Sequence, residues 1–202
     1  ISNNLNNKKS IISTHCHDDM GLACANSLAG IKAGARQIEC TVGGIGERCG
    51  NAALEEILAN LDNNHDFKLL FEHNLESSEI FNLANLVYKS ISKDLPINKA
   101  IIGLNAFSTE AGIHADGNYK NSNNYLSIDP DKYGRKEETI LGARSGKATL
   151  KNKLLELGIN QNSEDLEKFY NYFIKKADLL LKKRGIKNET LSNIYKEYEK
   201  NK

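Results

Sequence analysis

The chain has 202 residues, 40% of them hydrophobic, and its 27 basic and 26 acidic side chains give a formal net charge of +1. That length and apolar content suffice for the buried core of one domain, or of a domain with a small appendage. A balance so close to neutral supplies no global field for nucleic acid or an anionic membrane, and no apolar stretch approaches the roughly 20 residues of a membrane helix. Neither partner is therefore expected. The N-terminus, Ile1-Ser2-Asn3-Asn4-Leu5, lacks a charged segment with an apolar core behind it, so the expected location is the cytosol. The opening "NNLNNKK" follows no initiator methionine and reads as part of something longer. Cys16, Cys24, Cys40 and Cys49 form no C-x-x-C pair and read as reduced, mostly buried thiols.

The first element is a short β-run, Ser10-Ile11-Ile12-Ser13-Thr14, followed by "HCHDDMG". Side chains at i and i+2 of a strand share a face, so His15 and His17 aim together while Cys16 aims the other way. Two imidazoles at a strand end can bind a divalent metal. A polar strand end with locally bonded rings is the plainer reading of an isolated H-x-H. Residues 20–33 are expected to form a helix with apolar positions at Leu22, Ala25, Leu28, Ala29 and Ile31, stopped by Gly34. A second β-run covers 37–42, the glycine-rich loop runs from Gly43 to Gly50, and a second helix is expected over 51–61.

This is strand, helix, strand, helix, with the polar cluster at the C-terminal end of each strand. Barrel enzymes and open α/β sheets both place their sites there. The strand starts, Ser10 and Gln37, are spaced close to the roughly 31 residues per unit of a typical barrel of about 250 residues. The dinucleotide fingerprint G-x-G-x-x-G is excluded, because Gly44, Gly46 and Gly50 give one residue too many. Asn51, by itself, reads as a helix N-cap. Glu47 and Arg48 read as a charged pair bracing the loop. Asp18 and Asp19 are expected to orient the site through hydrogen bonds or to cap the following helix.

Beyond Asp66 the pattern is mainly helical. Residues 77–92 carry Ile80, Leu83, Ala84, Val87 and Ile91 at helical spacing, with Ser77 as expected N-cap and Pro96 as terminator. Residues 101–133 are irregular and rich in Asn and Gly. A helix then begins in "GARSGKATLKNKLLELG" and stops at Gly158, another runs from Ser163 to about Lys183, and a terminal helix covers 189–202. The basic run "KKADLLLKKRGIKN" reads as the solvated face of an amphipathic helix, with an anion-binding helix as the sharper alternative.

Two stretches, "HCHDDMGLACANSLAGIKAGA" and "GIGERCGNAALEEIL", closely resemble the late barrel segments of the 2-isopropylmalate synthase family and its homocitrate and citramalate synthase relatives. "NAFSTEAGIHADG", "YLSIDP" and "SGKATLKNKLLELG" are similar to the small subdomain that follows the barrel. The resemblance runs from Ile11 to about Gly158. It implies an α/β fold consisting of the last two βα units of a TIM (β/α)8 barrel and a mainly α-helical C-terminal subdomain. The implied division is a barrel portion at 1–75, a connecting helix at 76–100 and an α-rich subdomain at 101–202.

Carried over by position, the resemblance makes His15, His17 and Asn51 ligands of a divalent metal ion such as Mn, Mg or Zn. The family's aspartate ligand, in a T-L-R-D-G motif, has no match in this chain. His114 in "GIHADG" matches a histidine that assists proton transfer in a neighbouring subunit's site, and alone it would read as a loop histidine without a role. Tyr125 resembles its companion tyrosine, with Tyr133 as a competitor. The implied reaction condenses acetyl-CoA with a 2-oxo acid, 3-methyl-2-oxobutanoate in the leucine branch, to give 2-isopropylmalate and CoA. A homodimer is implied for the complete enzyme, while this chain alone is expected to be inactive. Homocitrate or citramalate synthesis, a related metal-dependent barrel lyase or carboxyltransferase, and a non-catalytic fragment that only associates with a partner chain are the alternatives.

Overall fold

In the computed structural model, which describes residues 10–70, 72–110, 127–180 and 185–202, the first paired strands are β1 (Ser13–His15) and β2 (Gln37–Glu39). They lie parallel, in register Ser13↔Gln37, Thr14↔Ile38 and His15↔Glu39, joined by helix α1 (Ala23–Lys32). A parallel pair needs such a crossover, and its length here is what a βαβ unit requires. Gly30 lets the helix approach the strand, since a Cβ there would stand 2.3 Å from Thr14 Cγ2. The chain leaves α1 through Ala33 and Gly34, the latter at φ +106 in the position expected for a stopping glycine.

The face α1 buries differs from the expected apolar stripe. Ala23, Ser27 and Ile31 are buried, whereas Leu22, Ala25 and Ala29 are exposed. The i, i+4, i+8 spacing is helical, with small residues at Ala23 and Ser27 that permit close packing and Ile31 buried beyond them. Helix α2 (Leu54–Asn63) packs on the same small core, formed by Ala23, Ala52 and Ile57 with Cys16, Leu28, Ile38 and Cys40 around them. A one-turn helix α3 (His65–Lys68) follows, capped by the Asn64 side chain, which accepts from the Asp66 N–H at 3.0 Å.

Helix α4 (Ile80–Ser90) is preceded by a 3-10 turn at Ser77–Glu79. Ser77 is not its N-cap: the hydroxyl donates instead to Asp62 Oδ2 at 2.7 Å. The helix also ends before Pro96 acts, because Ser92 turns to φ +54. These elements belong to a compact unit formed by Ile1–Ala106 and Ile128–Lys136.

The second unit comprises Phe107–Ser127 and Glu137–Lys202. Two-residue strands β3 (Ser108–Thr109) and β4 (Glu138–Thr139) pair in parallel, which the sequence pattern does not announce. Helices α5 (Lys147–Glu156), α6 (Ser163–Leu179) and α7 (Asn188–Lys200) follow. Asn162 caps α6, its side chain accepting from the Asp165 N–H at 2.8 Å. Leu150 and Leu154, Phe169 and Phe173, and Leu191 and Ile194 meet in one core with Leu141 and Ile186. Phe169 stacks edge-on to Tyr195 at 5.0 Å. No helix among the described residues is long and apolar enough to cross a membrane.

Candidate metal centre

The end of β1 does what strand alternation requires. His15 and His17 are exposed on one side, with ring centroids 5.0 Å apart and planes at 83°, while Cys16 turns into the apolar core. Beyond β1 the chain forms a short antiparallel bridge with the end of the glycine loop. The Asp18 N–H donates to Gly50 O at 2.9 Å, the Ala52 N–H donates to Cys16 O at 3.1 Å, and His17 and Asn51 stand opposite each other between these bonds.

Asn51 is not the helix N-cap. Ala53 occupies that position and no side chain caps the helix. Asn51 Oδ1 is instead buried without a hydrogen-bond partner among the described residues, and its Nδ2 reaches only Ile45 O at 3.5 Å. A buried amide oxygen left unpaired costs about 1–3 kcal/mol unless something supplies a positive partner. Gly46 makes the room, since a Cβ there would stand 2.3 Å from Asn51 Nδ2. Two imidazoles on one side and an unpartnered amide oxygen on the residue bridged to His17 are donor types that a divalent transition metal accepts in a mixed N/O set. The described residues contain no group of three or more His, Cys, Asp and Glu able to hold a metal.

Glu39 completes the imidazole side. It faces His15 across the parallel pair, its Oε2 3.3 Å from His15 Nδ1, while Oε1 accepts from Ser13 Oγ at 3.2 Å. A carboxylate on Nδ1 fixes the ring and leaves Nε2 for a ligand. The sequence holds this signal, because alternation along "QIE" gives Glu39 the same face as Gln37; what it lacks is the register that sets Glu39 opposite His15.

The two aspartates divide their work. Asp18 Oδ1 accepts from the Ala23 N–H at 2.9 Å and caps α1, as expected. Asp19 forms a bidentate pair with Arg48, with both N–H···O distances at 2.8 Å, and hydrogen bonding to that guanidinium holds the Asp19 carboxyl below its ordinary value. Arg48 also reaches Glu47 at 3.3 Å, so the expected pair exists, but Arg48's stronger anchor is on the other loop. Arg48 itself sits at φ +56, a conformation sparsely adopted outside glycine, at the centre of the loop.

Cys24 accepts from the Ala53 N–H at 3.2 Å, and burial, with Glu56 beside it, pushes the thiol up to about 12. It is a packing thiol. His114 and Tyr125 lie outside the described residues. Tyr133, the competitor of Tyr125, is fully buried, its hydroxyl accepting from Asn63 Nδ2 at 2.7 Å and donating to Asp62 Oδ2 at 3.1 Å. Burial raises its pKa, and the hydroxyl is committed to structure.

Two family models divide the chain. Residues 1–87 match the HMGL-like model, and residues 101–180 match the homocitrate synthase post-HMGL domain-like model. Over 171 residues the chain is 44% identical to the 2-isopropylmalate synthase of Haemophilus influenzae strain Rd, which covers 84% of this chain and 33% of that protein. The corresponding protein of Pasteurella multocida strain Pm70 is also 44% identical, and that of Buchnera aphidicola from Acyrthosiphon pisum is 45% identical, with the same coverage. The chain is thus similar to 2-isopropylmalate synthases over 84% of its length. It spans about a third of the length of these relatives. The HMGL-like match implies a TIM-barrel fold for residues 1–87, and the α/β character of the first unit agrees with that. In this family frame the H-x-H strand and the G-x-G-E-R-x-G-N loop are the two segments that meet at the His17–Asn51 bridge.

Proposed function

We propose that the protein containing this chain is an acyltransferase that condenses acetyl-CoA with 3-methyl-2-oxobutanoate and water to give 2-isopropylmalate and CoA, in leucine biosynthesis in the cytoplasm. What supports the reading is that His15 and His17 share one side at the end of β1 and that Asn51, whose Oδ1 has no hydrogen-bond partner among the described residues, is bridged opposite His17. In this reading β1–α1 and β2–α2 are the last two βα units of the barrel. The barrel portion takes in residues 1–75, a connecting helix 76–100, and an α-rich subdomain 101–202.

His15, His17 and Asn51 would hold a divalent ion such as Mn, Mg or Zn. Such an ion supplies a Lewis acid for the keto carbonyl of the 2-oxo acid. The residues of this chain do the rest of the positioning. Glu39 fixes the His15 ring through Nδ1, Asp18 ties the H-x-H segment to the start of α1, and the Asp19–Arg48 pair joins the two loops across the mouth of the site. His114 is assigned to proton transfer in the site of a second subunit, with Tyr125 beside it, in a homodimer. A histidine suits that work because its ordinary pKa lies near neutrality.

The test is titration of Mn into the full-length enzyme and its His15→Ala and His17→Ala variants, read by the loss of the free Mn(II) electron paramagnetic resonance signal, with CoA release followed by a thiol reagent. Each variant is expected to weaken Mn affinity at least about tenfold and to lose turnover. Unchanged affinity in both variants would sink the metal assignment.

A further inference from the structure

A carboxyl group for which the proposed reaction has no use lies against the glycine loop. Glu55, in the first turn of α2 and shortly after Asn51, is fully buried. Its Oε2 accepts from the Gly43 N–H at 2.9 Å, and its Oε1 has no hydrogen-bond partner among the described residues. Lys99 Nζ stands 3.9 Å away but bonds Glu56 at 2.6 Å instead. Burial raises the Glu55 carboxyl, against the pull of the Gly43 amide and Lys99. A leucine at such a position would bury without any of this cost.

The turn that Glu55 joins is closed by the Gly44 N–H to Thr41 O at 3.1 Å and the Ile45 N–H to Val42 O at 3.3 Å, and Glu55 is the side chain that takes up the Gly43 N–H. Gly43 and Gly44 lie at φ +68 and +69, where glycine is needed, and a Cβ on Gly43 would stand 2.5 Å from the Tyr88 hydroxyl oxygen. The next carbonyl, Gly44 O, accepts from the Asn51 N–H at 2.9 Å. Gly44 O also abuts Gly50, where a Cβ would come within 1.9 Å of it. A continuous path therefore runs from the Glu55 carboxylate to the Gly43 amide, to the Gly44 carbonyl, to the Asn51 amide, and so to the side chain opposite His17.

We infer that Glu55 is a positioning residue: its carboxylate oxygen, by holding the Gly43–Gly44 turn, sets Asn51 where its Oδ1 meets the ligand of His15 and His17. The inference rests on the metal-site reading above. It makes reach to Gly43 the property that matters, so conservative variants separate it from a mere packing role. Glu55→Asp keeps the charge but falls a methylene short, whereas Glu55→Gln keeps an acceptor at the same reach.

The experiment is Mn binding to the full-length enzyme, read by the free Mn(II) resonance signal, for Glu55→Asp, Glu55→Gln and His15→Ala beside the parent. Thermal midpoints establish that each is folded. Glu55→Asp is expected to bind about 10-fold to 100-fold more weakly, the range for a residue that orients a ligand, and Glu55→Gln to stay within about threefold of the parent. Parent-like affinity in a folded Glu55→Asp, with His15→Ala weakened, overturns the role of Glu55 and leaves the metal site standing. A Glu55→Gln as weak as Glu55→Asp overturns it too, since an acceptor at full reach would then not be enough to set Asn51. If the Asp variant does not fold, Glu55→Leu, which fills the site without an acceptor, takes its place, weakened affinity supporting the role and parent-like affinity overturning it. If His15→Ala binds as the parent does, the metal-site reading falls and takes the role of Glu55 with it.

Discussion

Asp62 joins three separate stretches of the first unit through one carboxylate. Oδ2 accepts from Ser77 Oγ at 2.7 Å and from the Tyr133 hydroxyl at 3.1 Å, and Oδ1 lies 3.2 Å from His73 Nε2 and 3.4 Å from Lys132 Nζ. Burial alone would raise this carboxyl, but the bonds from Ser77 and Tyr133 and the charge of Lys132 outweigh it, and the net shift is downward. Asp62→Ala removes the acceptor that Ser77, Tyr133, His73 and Lys132 share and is expected to cost about 2–4 kcal/mol, seen as a lowered thermal midpoint of the full-length protein. The pH dependence follows from the sign of the shift. A folded-state pKa below the unfolded value of about 3.9 contributes stability that is present above that value and lost as pH falls through the folded one. The gap in thermal midpoint between the parent and Asp62→Asn should therefore be full at pH 6 and shrink below about pH 4. A gap independent of pH would mean that the charge on Asp62 contributes nothing. None of this was legible in the sequence, where Asp62 looks like the polar end of an amphipathic helix. Its partners lie far along the chain, and no local pattern announces a shared acceptor.

At the scale of the element, the sequence was legible where local physics decides and silent where pairing does. The order β1, α1, β2, α2 follows from alternation, helix-forming runs and glycine stops, and Asp18 caps α1 as its position suggests. The boundaries moved where a competing bond won: Asn51 is held by the bridge to β1 and leaves the cap of α2 to Ala53, and Ser77 gives its hydroxyl to Asp62. β3 and β4 have two residues each and exist only through each other, so no periodicity could reveal them. The irregular stretch around residues 101–104 is organised by Arg135, buried within the same unit. Its Nη1 donates to the carbonyls of Ile101, Ile102 and Gly103 at 3.2, 3.1 and 2.9 Å, and its plane stacks 4.2 Å from the Phe81 ring centroid. A lysine carries the charge but neither the planar fork nor the stacking surface. Arg135→Lys is expected to destabilise by about 1–3 kcal/mol, measurable as a lower denaturation midpoint. A midpoint equal to the parent's would show that the guanidinium geometry is not what orders the stretch.

At the scale of the whole molecule, the sheet formed by β1 and β2 is two-stranded, and two strands cannot close a barrel. Among the described residues, each strand of the pair is joined in a sheet along one edge only. The proposed reading therefore expects that the 202-residue chain alone releases no CoA from acetyl-CoA and 3-methyl-2-oxobutanoate, whereas the full-length enzyme does. Turnover by the isolated chain would refute the claim that further barrel strands are needed. The same reading assigns His114 to a neighbouring subunit's site, and that assignment can be tested by mixing subunits. A full-length subunit carrying His114→Ala keeps its own metal ligands, and one carrying His15→Ala keeps its own His114. Each parent homodimer should be nearly inactive, because every site in it lacks one of the two groups. In the mixed dimer, a histidine acting across the interface completes the site that retains His15, while the other site lacks both groups. Activity should then recover to about half of the wild-type value per dimer, since the two-fold arrangement gives one complete site of two. A histidine acting within its own subunit predicts no recovery, because neither subunit of the mixed dimer holds both groups. Inactivity in isolated, verified heterodimers would thus place His114 in its own subunit's site.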